Sequence, residues 1–93
     1  MAKDNGRKEF IESVFREMES FGKKSYMKQQ AIILQSYFGL TSGKQMSFLE
    51  ISQMLNMDYQ RVRDVFNEAK ENFVKAVYKL GFDVSQVTEL FYS

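Results

Sequence analysis

An all-α fold is expected from three features of this chain. Proline is absent, apolar residues recur in steps of three and four along most of its length, and the β-branched runs that mark strands are short and few. Ninety-three residues suit one hydrophobic core and are too few for two, so residues 1–93 are expected to form a single small helical domain. With 44% hydrophobic and 15% aromatic residues, there is enough apolar surface to argue against whole-chain disorder.

The elements follow in order. Met1 to Gly6 is polar and is expected to fray. From Arg7 to Phe21, the residues Phe10, Ile11, Val14, Phe15, Met18 and Phe21 share one helical face, with Gly22 as a natural stop. Lys23 and Lys24 suit that end of the helix dipole. Ser25 is expected to cap a second helix with Met27, Ala31, Leu34 and Phe38 inward, ended by Gly39. Thr41 to Met46 reads as a polar connection.

Ser47 with Glu50 is a capping-box pair, opening a short helix with Phe48, Ile51 and Leu55 inward. Asn56 tolerates the left-handed backbone that a tight turn requires, and Asp58 can cap the next helix. From Tyr59 the apolar stripe runs through Val62, Val65, Phe66, Ala69, Phe73, Ala76, Val77 and Leu80 to Gly81. Asp83 with Gln86 offers a second box before a short helix with Val87, Leu90 and Phe91 on one side.

Composition restricts function. Without cysteine or histidine, disulfides, thiol nucleophiles, the commonest zinc ligands and the usual neutral-pH base are lost. No paired-acid or Ser/Lys grouping stands out, so neither an enzyme nor a bound metal or cofactor is expected. The uncharged run from Gln29 to Gly43 contains Gln30, Gln35 and Ser36 and reads as a buried helix, not a membrane span. The charged N-terminus lacks a signal-peptide core, and a cytoplasmic location is expected by default. The net charge of +1 means that any nucleic-acid binding must use a local patch, because phosphate neutralisation supplies much of such affinity.

A short capped helix, the turn Asn56 to Asp58 and a longer capped helix form a helix-turn-helix pattern. Tyr59, Gln60, Arg61, Arg63 and Asp64 fall off the apolar stripe at the start of the second helix. Arg suits guanine and Gln suits adenine in a major groove. The competing reading is two helices packed at an angle, with no ligand.

The residues also carry a family resemblance. Phe38-Gly39-Leu40, the six residues from Thr41 to Met46, and Ser47-Phe48-Leu49-Glu50-Ile51-Ser52 are followed by Leu55-Asn56-Met57-Asp58-Tyr59-Gln60-Arg61-Val62-Arg63-Asp64-Val65-Phe66. Ala69 and Phe73 continue the series. This resembles region 4 of bacterial sigma factors, which reads F-G-L, a six-residue spacer, T-L-E-E-I-G, then L-G-V-T-R-E-R-V-R-Q-I-E and A-L-R-K-L. No gap is needed from about Met27 to Val77, and the spacer and the Arg61-Val62-Arg63 triplet are the specific parts. The response-regulator type of helix-turn-helix usually has a shorter connection and lacks the arginine pair.

The resemblance implies a central helix-turn-helix over approximately 27–77 with an added helix at each end. It further implies binding of double-stranded promoter DNA through Tyr59, Gln60, Arg61, Arg63 and Asp64, and contact with the flap of the RNA polymerase β subunit. Arg61 and Arg63 match the family outright. Gln60 replaces a glutamate, Tyr59 an arginine and Asp64 a glutamine. Gln35, Ser36 and Tyr37 stand where the family often has arginines. From Lys44 to Lys75, the bases Lys44, Arg61, Arg63, Lys70 and Lys75 are balanced by Glu50, Asp58, Asp64, Glu68 and Glu71.

Lys23, Lys24, Lys28 and Lys44 are the candidate phosphate contacts, with a solvated helix junction as the competing reading of the first three. Leu49, Phe91 and Tyr92, with Tyr37 and Tyr59, are the candidate partner surface; alternatively they pack against the added helices. The regions that open promoters and grip the polymerase core are not among these residues. A free-standing transcription regulator, of the kind a phage or mobile element encodes, is therefore the expectation. The alternative is a protein-interaction module that binds polymerase or a sigma factor without reading DNA. RNA binding has nothing in the sequence to select it.

Overall fold

The computed structural model describes the backbone of residues 2–40, 42–83 and 85–92; the side chains of residues 2–7, 86, 89, 90 and 92 lie outside the description. The described residues form helices and turns with no strand. They are α1 (Ala2–Met18), a 3-10 turn (Glu19–Phe21), α2 (Lys24–Phe38), α3 (Phe48–Leu55), α4 (Tyr59–Lys79) and α5 (Ser85–Tyr92). The protein is all-α, as the missing proline and the helical periodicity require. No described helix is long and apolar enough to cross a membrane.

The first helix starts at Ala2 rather than at Arg7, which corrects the expected fray over residues 2–6. Ile11, Val14 and Met18 are fully buried. Gly22 ends this segment in extended conformation, φ −177° and ψ −158°, not in the left-handed form of a helix-stop glycine.

The extended chain at Gly22 and Lys23 starts α2 two residues early. The Lys23 carbonyl accepts from the Met27 N–H at 2.9 Å, and no side chain caps the helix. Ser25 therefore lies inside the first turn and is not the cap. The inward face also differs from expectation. Met27, Gln30, Ile33 and Leu34 are buried, while Ala31 and Phe38 are only partly so. Gly39 closes α2 at φ 63° with its N–H on the Gln35 carbonyl, and a Cβ there would lie 3.0 Å from the Lys44 carbonyl group. The connection that follows is not wholly polar. Met46 packs on the core and its N–H reaches the Ser36 carbonyl at 2.9 Å. Thr41 lies outside the described residues.

The α3–α4 corner forms as its residues dictate. Ser47 accepts from the Glu50 N–H at 3.1 Å while Glu50 accepts from the Ser47 N–H at 2.9 Å, so the capping box is complete. Asn56 adopts the left-handed conformation, φ 52° and ψ 49°, and the Met57 N–H then reaches the Ser52 carbonyl at 2.9 Å. Asp58 caps α4 through the Gln60 and Arg61 N–H groups at 3.1 and 3.4 Å. Asp83 likewise accepts from the Ser85 N–H at 3.0 Å before α5. Its expected partner Gln86 has its side chain outside the described residues, as do Leu90 and Tyr92.

The long helix α4 is the spine of the core. Val62, Val65, Phe66, Ala69, Phe73, Ala76 and Val77 are buried along one stripe; Leu80, at the cap beyond it, is exposed. Phe66 meets Tyr37, Phe38 and Phe48 with ring centroids 4.8, 5.6 and 4.9 Å away. Phe73 meets Phe10, Phe15 and Phe91 at 6.4, 5.8 and 5.2 Å. Phe91 is only 8% exposed and stacks on Phe38 at 4.6 Å. It is therefore a core residue and is withdrawn from the partner surface, because α5 folds its apolar side back onto α2 and α4.

Candidate nucleic-acid interface

The first two turns of α4 divide cleanly. Val62 and Val65 are buried, while Tyr59, Gln60, Arg61, Arg63 and Asp64 are all exposed. The reason is the helical period: the apolar stripe takes one face, and the intervening positions must turn outward. Asp58 and Asn56 place that exposed segment at the corner, since they fix where α4 begins.

The exposed side chains have distinct surroundings. Gln60 Nε2 donates to Asp64 Oδ1 at 3.0 Å, one turn further on, so the two polar groups partly satisfy each other. Tyr59 is 45% exposed, with its ring edge-on to Phe48 at 6.3 Å. The Arg61 guanidinium lies 5.8 Å from the centre of the Tyr26 ring. Arg63 has no side-chain partner among the described residues.

The charge around these groups is balanced. Arg61 and Arg63 stand between Asp58 and Asp64 on the same two turns. Lys23, Lys24 and Lys28 are exposed at the start of α2, and Lys24 Nζ lies 3.9 Å from Glu19 Oε1. Lys44 is exposed in the connection, and its charge helps to hold the Glu50 carboxyl below the usual range, after the larger effect of the Ser47 N–H and hydroxyl. Tyr26, which touches Arg61, belongs to the α2 turn between Lys24 and Lys28. The lysine-bearing start of α2 therefore adjoins the start of α4. Leu49 on α3 is 56% exposed and Met54 is 50% exposed.

A polar seam joins α2 to α4 below Arg61. The Tyr26 hydroxyl donates to Glu68 Oε2, and Gln30 Nε2 donates to the same oxygen at 2.8 Å. Asn72 Nδ2 in turn donates to Gln30 Oε1 at 2.9 Å. Gln30 is 0% exposed, and no buried side-chain polar atom among the described residues lacks a partner. Sequence reasoning missed this seam. One signal was available: Tyr26 and Gln30, and likewise Glu68 and Asn72, are spaced four apart, which puts each pair on one helical face.

Among the described residues, no group of three acidic side chains converges as a metal site. Compared with protein families, with curated proteins and with solved structures, the chain matches none of them.

Proposed function

We propose that this protein is a transcription regulator that binds double-stranded promoter DNA through the start of α4 and engages RNA polymerase, as its resemblance to sigma factor region 4 implies. The observation that carries the reading is the exposed set Tyr59, Gln60, Arg61, Arg63 and Asp64 on the two turns behind a capped three-residue corner, residues 56–58. The valines beneath anchor those turns, and the corner sets their direction. Arg61 and Arg63 offer forked donors suited to guanine, and Gln60 suits adenine. The neutral charge balance implies few phosphate contacts and a shallow dependence of affinity on salt.

The second reading, binding to polymerase or a sigma factor without DNA, is favoured by Leu49 and Met54, both at least half exposed on α3. One experiment separates the two. A random-sequence duplex pool is offered to the protein, and purified polymerase is offered in parallel. DNA reading predicts a selected sequence whose binding is lost when Arg61 and Arg63 are both changed to Ala, with thermal stability retained. The interaction reading predicts no selected sequence, retention of polymerase by that double variant, and loss of polymerase on Leu49→Glu.

A further inference from the structure

Arg61 and Arg63 lie two positions apart on one exposed segment, yet only Arg61 is held. Its guanidinium sits over the Tyr26 ring, and that ring is fixed from the interior outward. Asn72 holds Gln30, Gln30 and the Tyr26 hydroxyl share Glu68 Oε2, and Gln30 is wholly buried. An aromatic face attracts a cation most when it is electron-rich, and donation to a carboxylate enriches the ring. The contact is made to the ring and not to a hydrogen-bond acceptor, so the forked donors of Arg61 stay free to bind a base. Hydrogen bonding to Glu68 also pushes the Tyr26 hydroxyl above the ordinary tyrosine value, in keeping with its role as the donor.

We propose that Tyr26 is a positioning residue that sets base selectivity at Arg61, so that the α2–α4 seam contributes to sequence recognition although it touches no base. This rests on the DNA-reading function above. Forked recognition of guanine needs a guanidinium whose position is defined. Tyr26 supplies that definition to Arg61, and nothing among the described residues supplies it to Arg63. Arg61 thus discriminates more sharply between bases, while Arg63 tolerates more variation.

The test uses the duplex selected from a random-sequence pool, with every single base-pair change measured by fluorescence anisotropy. Tyr26→Leu should lower discrimination about tenfold at the base pair that Arg61→Ala also affects, and leave the Arg63 base pair unchanged. In an Arg61→Ala background, Tyr26→Leu should add nothing. A uniform loss on all sequences, or the same loss without Arg61, makes Tyr26 merely structural and overturns the proposal while DNA reading stands. If the wild-type protein selects no sequence, DNA reading itself fails and the proposal falls with it. Should Tyr26→Leu not fold, Tyr26→Phe releases the ring from Glu68 while Gln30 keeps its acceptor. Reduced discrimination at the Arg61 base pair then supports the proposal, and unchanged discrimination overturns it.

Discussion

The α3–α4 corner and the α2–α4 seam are both fastened by hydrogen bonds, but over very different spans of chain. Every bond of the corner closes within a few residues: Ser47 with Glu50, Met57 with Ser52, and Asp58 with Gln60 and Arg61. The seam bonds join residues separated by 38 and 42 positions. A local bond can begin to form with its own helix. A seam bond needs two finished helices in the correct rotation, because a polar pair that misses its partner inside a core loses more than it contributes. The corner therefore specifies where helices start and stop, whereas the seam specifies how α2 lies against α4.

Phe66 lies beneath both regions, against Phe48 of α3 and against Tyr37 and Phe38 of α2. Phe66→Ala should break both at once and give the largest loss, about 3–5 kcal/mol, measured by urea unfolding. A loss under 1 kcal/mol would mean that the aromatic cluster is not the shared foundation.

Gln30→Ala attacks the seam alone. It removes two hydrogen bonds from a fully buried group and should destabilise by about 1–3 kcal/mol. The effect of Asn72→Ala should shrink in that background, because their bond is already gone. Simple additivity would show that the seam does not act as a unit.

At the corner, Ser47→Ala should destabilise by about 0.5–2 kcal/mol, and it should be coupled to Glu50→Ala because the two form one box. Independent effects in a double-mutant cycle would break the contrast, since the corner would then lack its local fastening.

The smallest effects are those of pH, and they should separate the regions by sign. The Ser47 backbone N–H, then its hydroxyl, hold Glu50 below its ordinary value of 4.5. Its contribution is thus complete above that value and lost as pH falls through the lowered one. Tyr26, raised from 10.0 chiefly by its bond to Glu68, contributes fully below that value and loses its contribution as pH rises through the raised one. Glu50→Gln should flatten the acid side of the stability profile, and Tyr26→Phe the alkaline side. If either variant flattens the opposite limb, the assignment of that group is wrong.

Periodicity and caps alone determined much of this protein: an all-α chain, the bounds of α3, the start of α4, the left-handed Asn56, and the outward position of Tyr59, Gln60, Arg61, Arg63 and Asp64. Each depends on residues within a turn or two of one another, so neighbouring side chains carry the information. Only the tertiary structure decided that Gln30 is buried, that Phe91 belongs to the core, that α2 starts before Ser25, and that Arg61 rests on Tyr26. The stripe from Phe66 to Val77 could be traced without knowing what covers it. Periodicity says which face turns inward, but not which helix meets it or at what rotation. A buried glutamine is stable only if that rotation delivers Glu68 and Asn72 to its amide, and this requirement is met in three dimensions rather than along the chain.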